Sequence, residues 1–133
     1  MRTAVLLIVC GSLLCLTAGD ALAIPNFKKQ FEAKYADKEG TDAQKAVSKA
    51  MGAGTKGCLV CHMGKSKKMR NPYGMALSEL LDKKEDKDNM EKIDEALEKV
   101  AKMKVDPNKS DSETFGDRLK AGKLPVEMEA ASQ

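Results

Sequence analysis

The chain has no tryptophan, one histidine, three phenylalanines and two tyrosines. With so few aromatic residues the interior has little bulk of its own, and a site built on two imidazoles cannot form within one chain. Runs of alternating β-branched residues are almost missing, and no internal repeat or low-complexity stretch occurs, which excludes a sheet-based or repetitive fold. The apolar run Ala4–Leu16 is 13 residues, short of the roughly 20 that span a bilayer. Charge is abundant in both signs, 23 Lys and Arg against 20 Asp and Glu for a net +3, too mild an excess to point to nucleic acid.

What is present begins with MRTAVLLIVCGSLLCLTAGDALA. Arg2, the apolar run and the small-residue pattern Ala21-Leu22-Ala23 predict a secretory signal peptide over residues 1–23, cut after Ala23. The mature chain then carries no transmembrane segment, and its expected location is exported and periplasmic. Cys10 and Cys15 leave with the signal, so Cys58 and Cys61 are the only thiols after Ala23, and His62, the only imidazole, follows directly. In an oxidising compartment such thiols are expected to close on each other or to be captured by something else.

Gly, Pro and Asn divide the mature chain into helices, and the expected fold class is all-α, a single small domain of four to five short helices over residues 24–125. Phe27, Phe31 and Tyr35 recur at helical spacing and predict an aromatic core stripe on a first helix over 27–36. Thr41 and Gln44 have the spacing of a capping box opening a second helix, whose inner face would be Ala43, Ala46, Val47, Ala50 and Met51. A third helix is expected over 73–83 with Leu77, Leu80 and Leu81 inward. A fourth opens near Asp88, with Glu91 completing a box, and buries Met90, Ile93, Leu97, Val100 and Met103 before Asp106-Pro107. A last helix over 113–120 ends at Gly122, and residues 126–133 read as a disordered tail.

The chemistry lies in KGCLVCHMG, residues 56–64. Cys-x-x-Cys-His is the attachment signature of c-type haem. Two thiols three residues apart on a helical turn point the same way and can add to two vinyl groups, while the next residue offers an imidazole to the iron. Three other readings compete. A structural zinc site wants four ligands, and only Cys58, Cys61 and His62 are offered. A redox dithiol is normally set near a βαβ pattern, and no strand precedes Cys58. A plain disulfide leaves His62 and the flanking glycines without a role.

These residues, with the helix leading into them and the helices following, resemble the small monohaem c-type cytochromes, the class I type of exported bacterial proteins. The resemblance implies one covalently attached haem c, with Cys58 and Cys61 as thioether cysteines and His62 as proximal iron ligand. It also implies one-electron transfer between redox partners rather than catalysis, and the lack of a spare histidine speaks against peroxidase chemistry. The usual second axial ligand is a methionine. Met103, 41 residues after His62 and ahead of a Pro-containing loop, is the first candidate; Met69, Met75, a lysine or no protein ligand are the others. An open distal side would make the chain a haem-based sensor or small-ligand binder.

Charge is distributed unevenly around this motif. From Ala43 to Ser78 the chain carries Lys45, Lys49, Lys56, Lys65, Lys67, Lys68 and Arg70 and no acid, whereas acids outnumber lysines from Glu79 to Glu98. A basic block around an exposed haem edge would steer acidic redox partners; with little aromatic interleaving, it is a poor nucleic-acid surface.

Overall fold

A computed structural model describes residues 25–52, 54–64 and 68–127. The expected signal segment and residues 128–133 of the expected tail lie outside the described residues. The fold is all-α: α1 (Pro25–Tyr35), α2 (Asp42–Met51), a 3₁₀ segment (Gly54–Val60), α3 (Pro72–Leu80), α4 (Met90–Ala101) and α5 (Phe115–Lys120), with no named strand among the described residues. None of the described helices is long and apolar enough to cross a membrane.

Helices α2 to α5 each start where a side chain can take up a free backbone N–H. Thr41 accepts from the Gln44 N–H and the Gln44 side chain accepts from the Thr41 N–H, which is the capping box its spacing predicts. Asn71 caps α3, with Pro72 in the first turn where its missing N–H costs nothing. The cap of α4 is Asn89, which accepts from Lys92, and not Asp88 as the D-N-M-E spacing suggests. Asp88 instead accepts from the Asn26 amide at the start of α1, so a tertiary contact takes it from the cap. The last helix also has a box, Thr114 with Asp117.

The centre of the core is α4, whose Ile93, Ala96, Leu97 and Val100 form one buried face at the helical period. Each such side chain contributes roughly 1.5–3 kcal/mol on full burial. Helices α1, α3 and α5 pack on α4. Three rings run through the interior: Phe31 meets Tyr73 at 5.9 Å and Tyr73 meets Phe115 at 5.2 Å, both edge-on. The stripe on α1 is therefore core, with Phe31 buried and Phe27 and Tyr35 half-buried.

Two expected inner faces are narrower than their patterns. On α2 only Val47 and Met51 are buried, while Ala46 and Ala50 face outward. Met90 and Met103, expected inside α4's stripe, are exposed, because Ile93, Leu97 and Val100 already fill the side facing the core. The small residues of α2 serve a neighbour: a Cβ on Gly122 would lie 2.8 Å from the Cβ of Ala46. Gly122 has φ +73°, so space and backbone both require glycine there as the chain leaves α5 against α2.

Beyond Pro125 the chain remains attached for two residues more than expected. Val126 packs against the core and Glu127 pairs with Arg118. The buried Arg118 guanidinium also donates to the Leu124 carbonyl at 2.8 Å and to Glu113 at 2.8 Å, holding this segment onto α5.

Candidate functional site

The 3₁₀ segment brings Cys58 to the surface of a cavity of about 430 Å³, and Cys61 and His62 line the same cavity. That volume lies within the roughly 300–1,000 Å³ of cofactor sites. The opposite walls are apolar: Phe27 and Phe31 from α1, Leu77 from α3, Leu81 just beyond it, and Ile93 and Leu97 from α4. None of the described lining residues comes from α2 or α5, and none is acidic. The aromatic stripe of α1 thus serves both core and cavity, a second role its spacing alone does not reveal.

The motif is held by residues 69–71, which follow it in the chain. The Met63 N–H donates to the Met69 carbonyl at 3.0 Å, and the Asn71 N–H donates to the Cys61 carbonyl at 3.1 Å, with His62 and Arg70 forming an antiparallel bridge. The His62 Nδ1 lies 3.3 Å from the Met69 carbonyl oxygen. A carbonyl oxygen can only accept, so this contact puts the ring proton on Nδ1 and leaves the lone pair on Nε2. Metal-ligating histidines are typically oriented in this way. On α3, Gly74 lies directly on the motif, close enough that a Cβ would stand 2.0 Å from the Cys61 carbonyl oxygen.

The thiols are both free. Burial, with Cys58 beside it, pushes the Cys61 thiol up to about 12 against the weaker opposing effect of Arg70. Reactive dithiols depend on a lowered value, so Cys61 is suited to act as a neutral thiol and not as a thiolate nucleophile. Among the described residues no three His, Cys, Asp or Glu side chains are grouped to hold a metal ion. The chemistry of this donor set fits a c-type haem: two thiols and one oriented imidazole on one wall, apolar side chains on the others.

The rim is basic. Lys28, Lys68, Arg70 and Lys83 line the cavity, and the Lys28 side chain lies across Gly57, with its Cε 2.7 Å from where a Cβ would be. Of the basic block, Lys65 and Lys67 lie outside the described residues. None of the described methionines lines the cavity. Met69 and Met75 are 52% and 56% exposed. Met103 is 38% exposed in the α4–α5 connection, where its carbonyl accepts from the Phe115 N–H, so the structure does not bring this first candidate to His62.

A larger groove of about 810 Å³ lies between α2, α4 and α5, lined by Lys34, Gln44, Glu98, Lys102 and Asp117 among others. Lys34 and Glu98 pair within it at 2.8 Å, and it contains no thiol or imidazole. Comparison with protein-family profiles, curated proteins and solved structures finds no match. The functional reading rests on the site itself.

Proposed function

We propose that this chain is an exported c-type cytochrome that binds one haem covalently and passes single electrons between redox partners. The observation that carries this reading is the convergence of Cys58, Cys61 and His62 on one apolar cavity, with the His62 proton held on Nδ1. When bound, the haem supplies one-electron cycling of its iron between ferric and ferrous states. Cys58 and Cys61 would hold the haem by thioether bonds, each S–H adding across a vinyl C=C with its hydrogen going to the adjacent carbon, and His62 would offer an imidazole nitrogen to the iron. Phe27, Phe31, Leu77, Leu81, Ile93 and Leu97 would exclude water from the cavity, and the basic rim would draw an acidic partner surface toward its mouth.

A reduced pyridine haemochrome spectrum of protein expressed with a haem-attachment system is expected to show two thioether links. Cys58→Ser and Cys61→Ser each leave one link, with a displaced α band, and the double variant leaves none. A colourless product, or one retaining zinc, refutes the cytochrome reading. The mature chain is expected to begin at Ile24. Docking through the basic rim predicts electron exchange that slows steeply with salt; a rate indifferent to ionic strength counts against it.

A second reading, a haem protein with an open distal side that binds small ligands, is favoured by one observation: none of the described methionines lines the cavity. Rapid binding of carbon monoxide to the ferrous protein supports it. A ferric sulfur-to-iron charge-transfer band supports the carrier with a thioether ligand.

A further inference from the structure

Asn71 is only 3% exposed, and all its polar groups are spent on the motif and the helix that follows. Its Nδ2 donates to the Val60 carbonyl at 2.8 Å and to the Leu59 carbonyl at 3.1 Å, and its N–H donates to the Cys61 carbonyl at 3.1 Å. Three successive carbonyls at the end of the 3₁₀ segment, which lack the continuing helix that would satisfy them, are therefore taken by one residue. Its Oδ1 accepts from the Gly74 N–H at 2.9 Å, so the same side chain caps α3. Two residues earlier, the Met69 carbonyl accepts from His62 Nδ1. The side chains of Met69 and Arg70 are exposed and cannot fix that carbonyl. Within the segment 68–71 the buried anchor is Asn71.

We propose that Asn71 is the positioning residue for His62: by clamping the Leu59–Cys61 carbonyls it fixes where the Met69 carbonyl meets the imidazole, and so tunes the iron ligand. This rests on the cytochrome reading for its effect on iron. The hydrogen bond from Nδ1 makes the imidazole a stronger donor, which favours the ferric state. Loosening the clamp weakens that bond and favours the ferrous state. The role is separable from capping, because serine caps a helix about as well as asparagine but is too short to reach the Leu59 and Val60 carbonyls.

The test is Asn71→Ser in the full chain, with Met69→Ala as a control that keeps the carbonyl. In Asn71→Ser the His62 Nδ1 proton, followed by NMR, exchanges with solvent at least tenfold faster. The midpoint potential rises by about 59 mV, a tenfold shift of the one-electron equilibrium, and Met69→Ala changes neither. If Asn71→Ser fails to fold, Asn71→Asp retains the cap and the shape and loses the donor, and the same faster Nδ1 proton exchange is expected; the potential is read only in Asn71→Ser, because the added carboxylate itself favours the ferric state. Unchanged proton exchange and potential in the folded variant, with only a lower melting temperature, overturn the proposal and leave Asn71 a helix cap. A wild-type protein without thioether haem refutes the earlier reading instead, and the proton-exchange measurement on that protein still decides whether Asn71 positions His62.

Discussion

Gly74→Ala tests how tightly α3 is seated on the turn that carries Cys61 and His62. A Cβ at this position would stand 2.0 Å from the Cys61 carbonyl oxygen, 2.8 Å from its carbon and 3.1 Å from its Cα, against 3.4 Å or more for ordinary contact. All three are backbone atoms, so no side chain can swing away, and relief requires α3 and the turn to separate by more than 1 Å. Overpacking costs about 1–3 kcal/mol, and an overlap of this depth belongs at the upper end. Replacing glycine by alanine within a helix gains at most about 1 kcal/mol, which leaves a net loss of about 2 kcal/mol. For a domain of this size that lowers the melting temperature by roughly 8–16 °C. Urea unfolding and calorimetry of the purified protein measure it, and because the strain falls on Cys61, the fraction of protein carrying covalent haem should fall as well. Equal or greater stability of Gly74→Ala would falsify the placement of α3 against the motif.

Tyr73→Phe should raise stability by about 1 kcal/mol, because the Tyr73 hydroxyl is buried with no hydrogen-bond partner and an unsatisfied buried group costs about 1–3 kcal/mol; a loss in urea unfolding would mean the hydroxyl is engaged. Thr41→Ala, which removes one half of the α2 capping box, should cost about 1 kcal/mol without changing the haem spectrum. Acid sensitivity follows from carboxylates held below their usual range: Asp86 by the hydrogen bond from Lys92, Glu98 by that from Lys34, and Asp117 by that from Thr114. A lowered folded value stabilises above the unfolded value of about 4 and is lost as pH falls through the folded one. The melting temperature of the apoprotein should therefore be level from about pH 7 to 5 and fall below about pH 4; Asp86→Asn should flatten that fall, and an unchanged profile would remove Asp86 from the account.

What was legible in the sequence was what depends on near neighbours. The Thr41–Gln44 box, the α4 face of Ile93, Leu97 and Val100, and the helix break before Asp106-Pro107 are set within one or two turns. Capping by Asn89 instead of Asp88 was not legible, because Asn26, far away in the chain, takes the Asp88 carboxylate. Asn71-Pro72 reads locally as a turn; the cap could have been found from Asn71 directly before Pro72 at the first helical position, but its bonds to Leu59 and Val60 exist only once α3 has docked. For the candidate site, Cys58, Cys61 and His62 stand out by spacing, and the structure brings all three to one cavity. The cavity walls do not stand out, since Phe31, Leu81 and Leu97 look like any core residue until three helices bring them together. Met103, chosen by its separation from His62, is exposed in the α4–α5 connection and is not among the described residues lining the cavity.

The cavity takes its described lining from α1, α3, α4 and the motif, while α2 and α5 meet each other on the other side through Gly122 and Ala46. The described lining of the cavity and the α2–α5 contact thus draw on different helices, and α4 packs against helices of both groups. Changes on the α2–α5 side should alter how long the protein survives, and changes on the cavity side what it can do. On the cytochrome proposal, durability and redox character can therefore be adjusted by separate routes, with α4 as the shared boundary where the two demands meet.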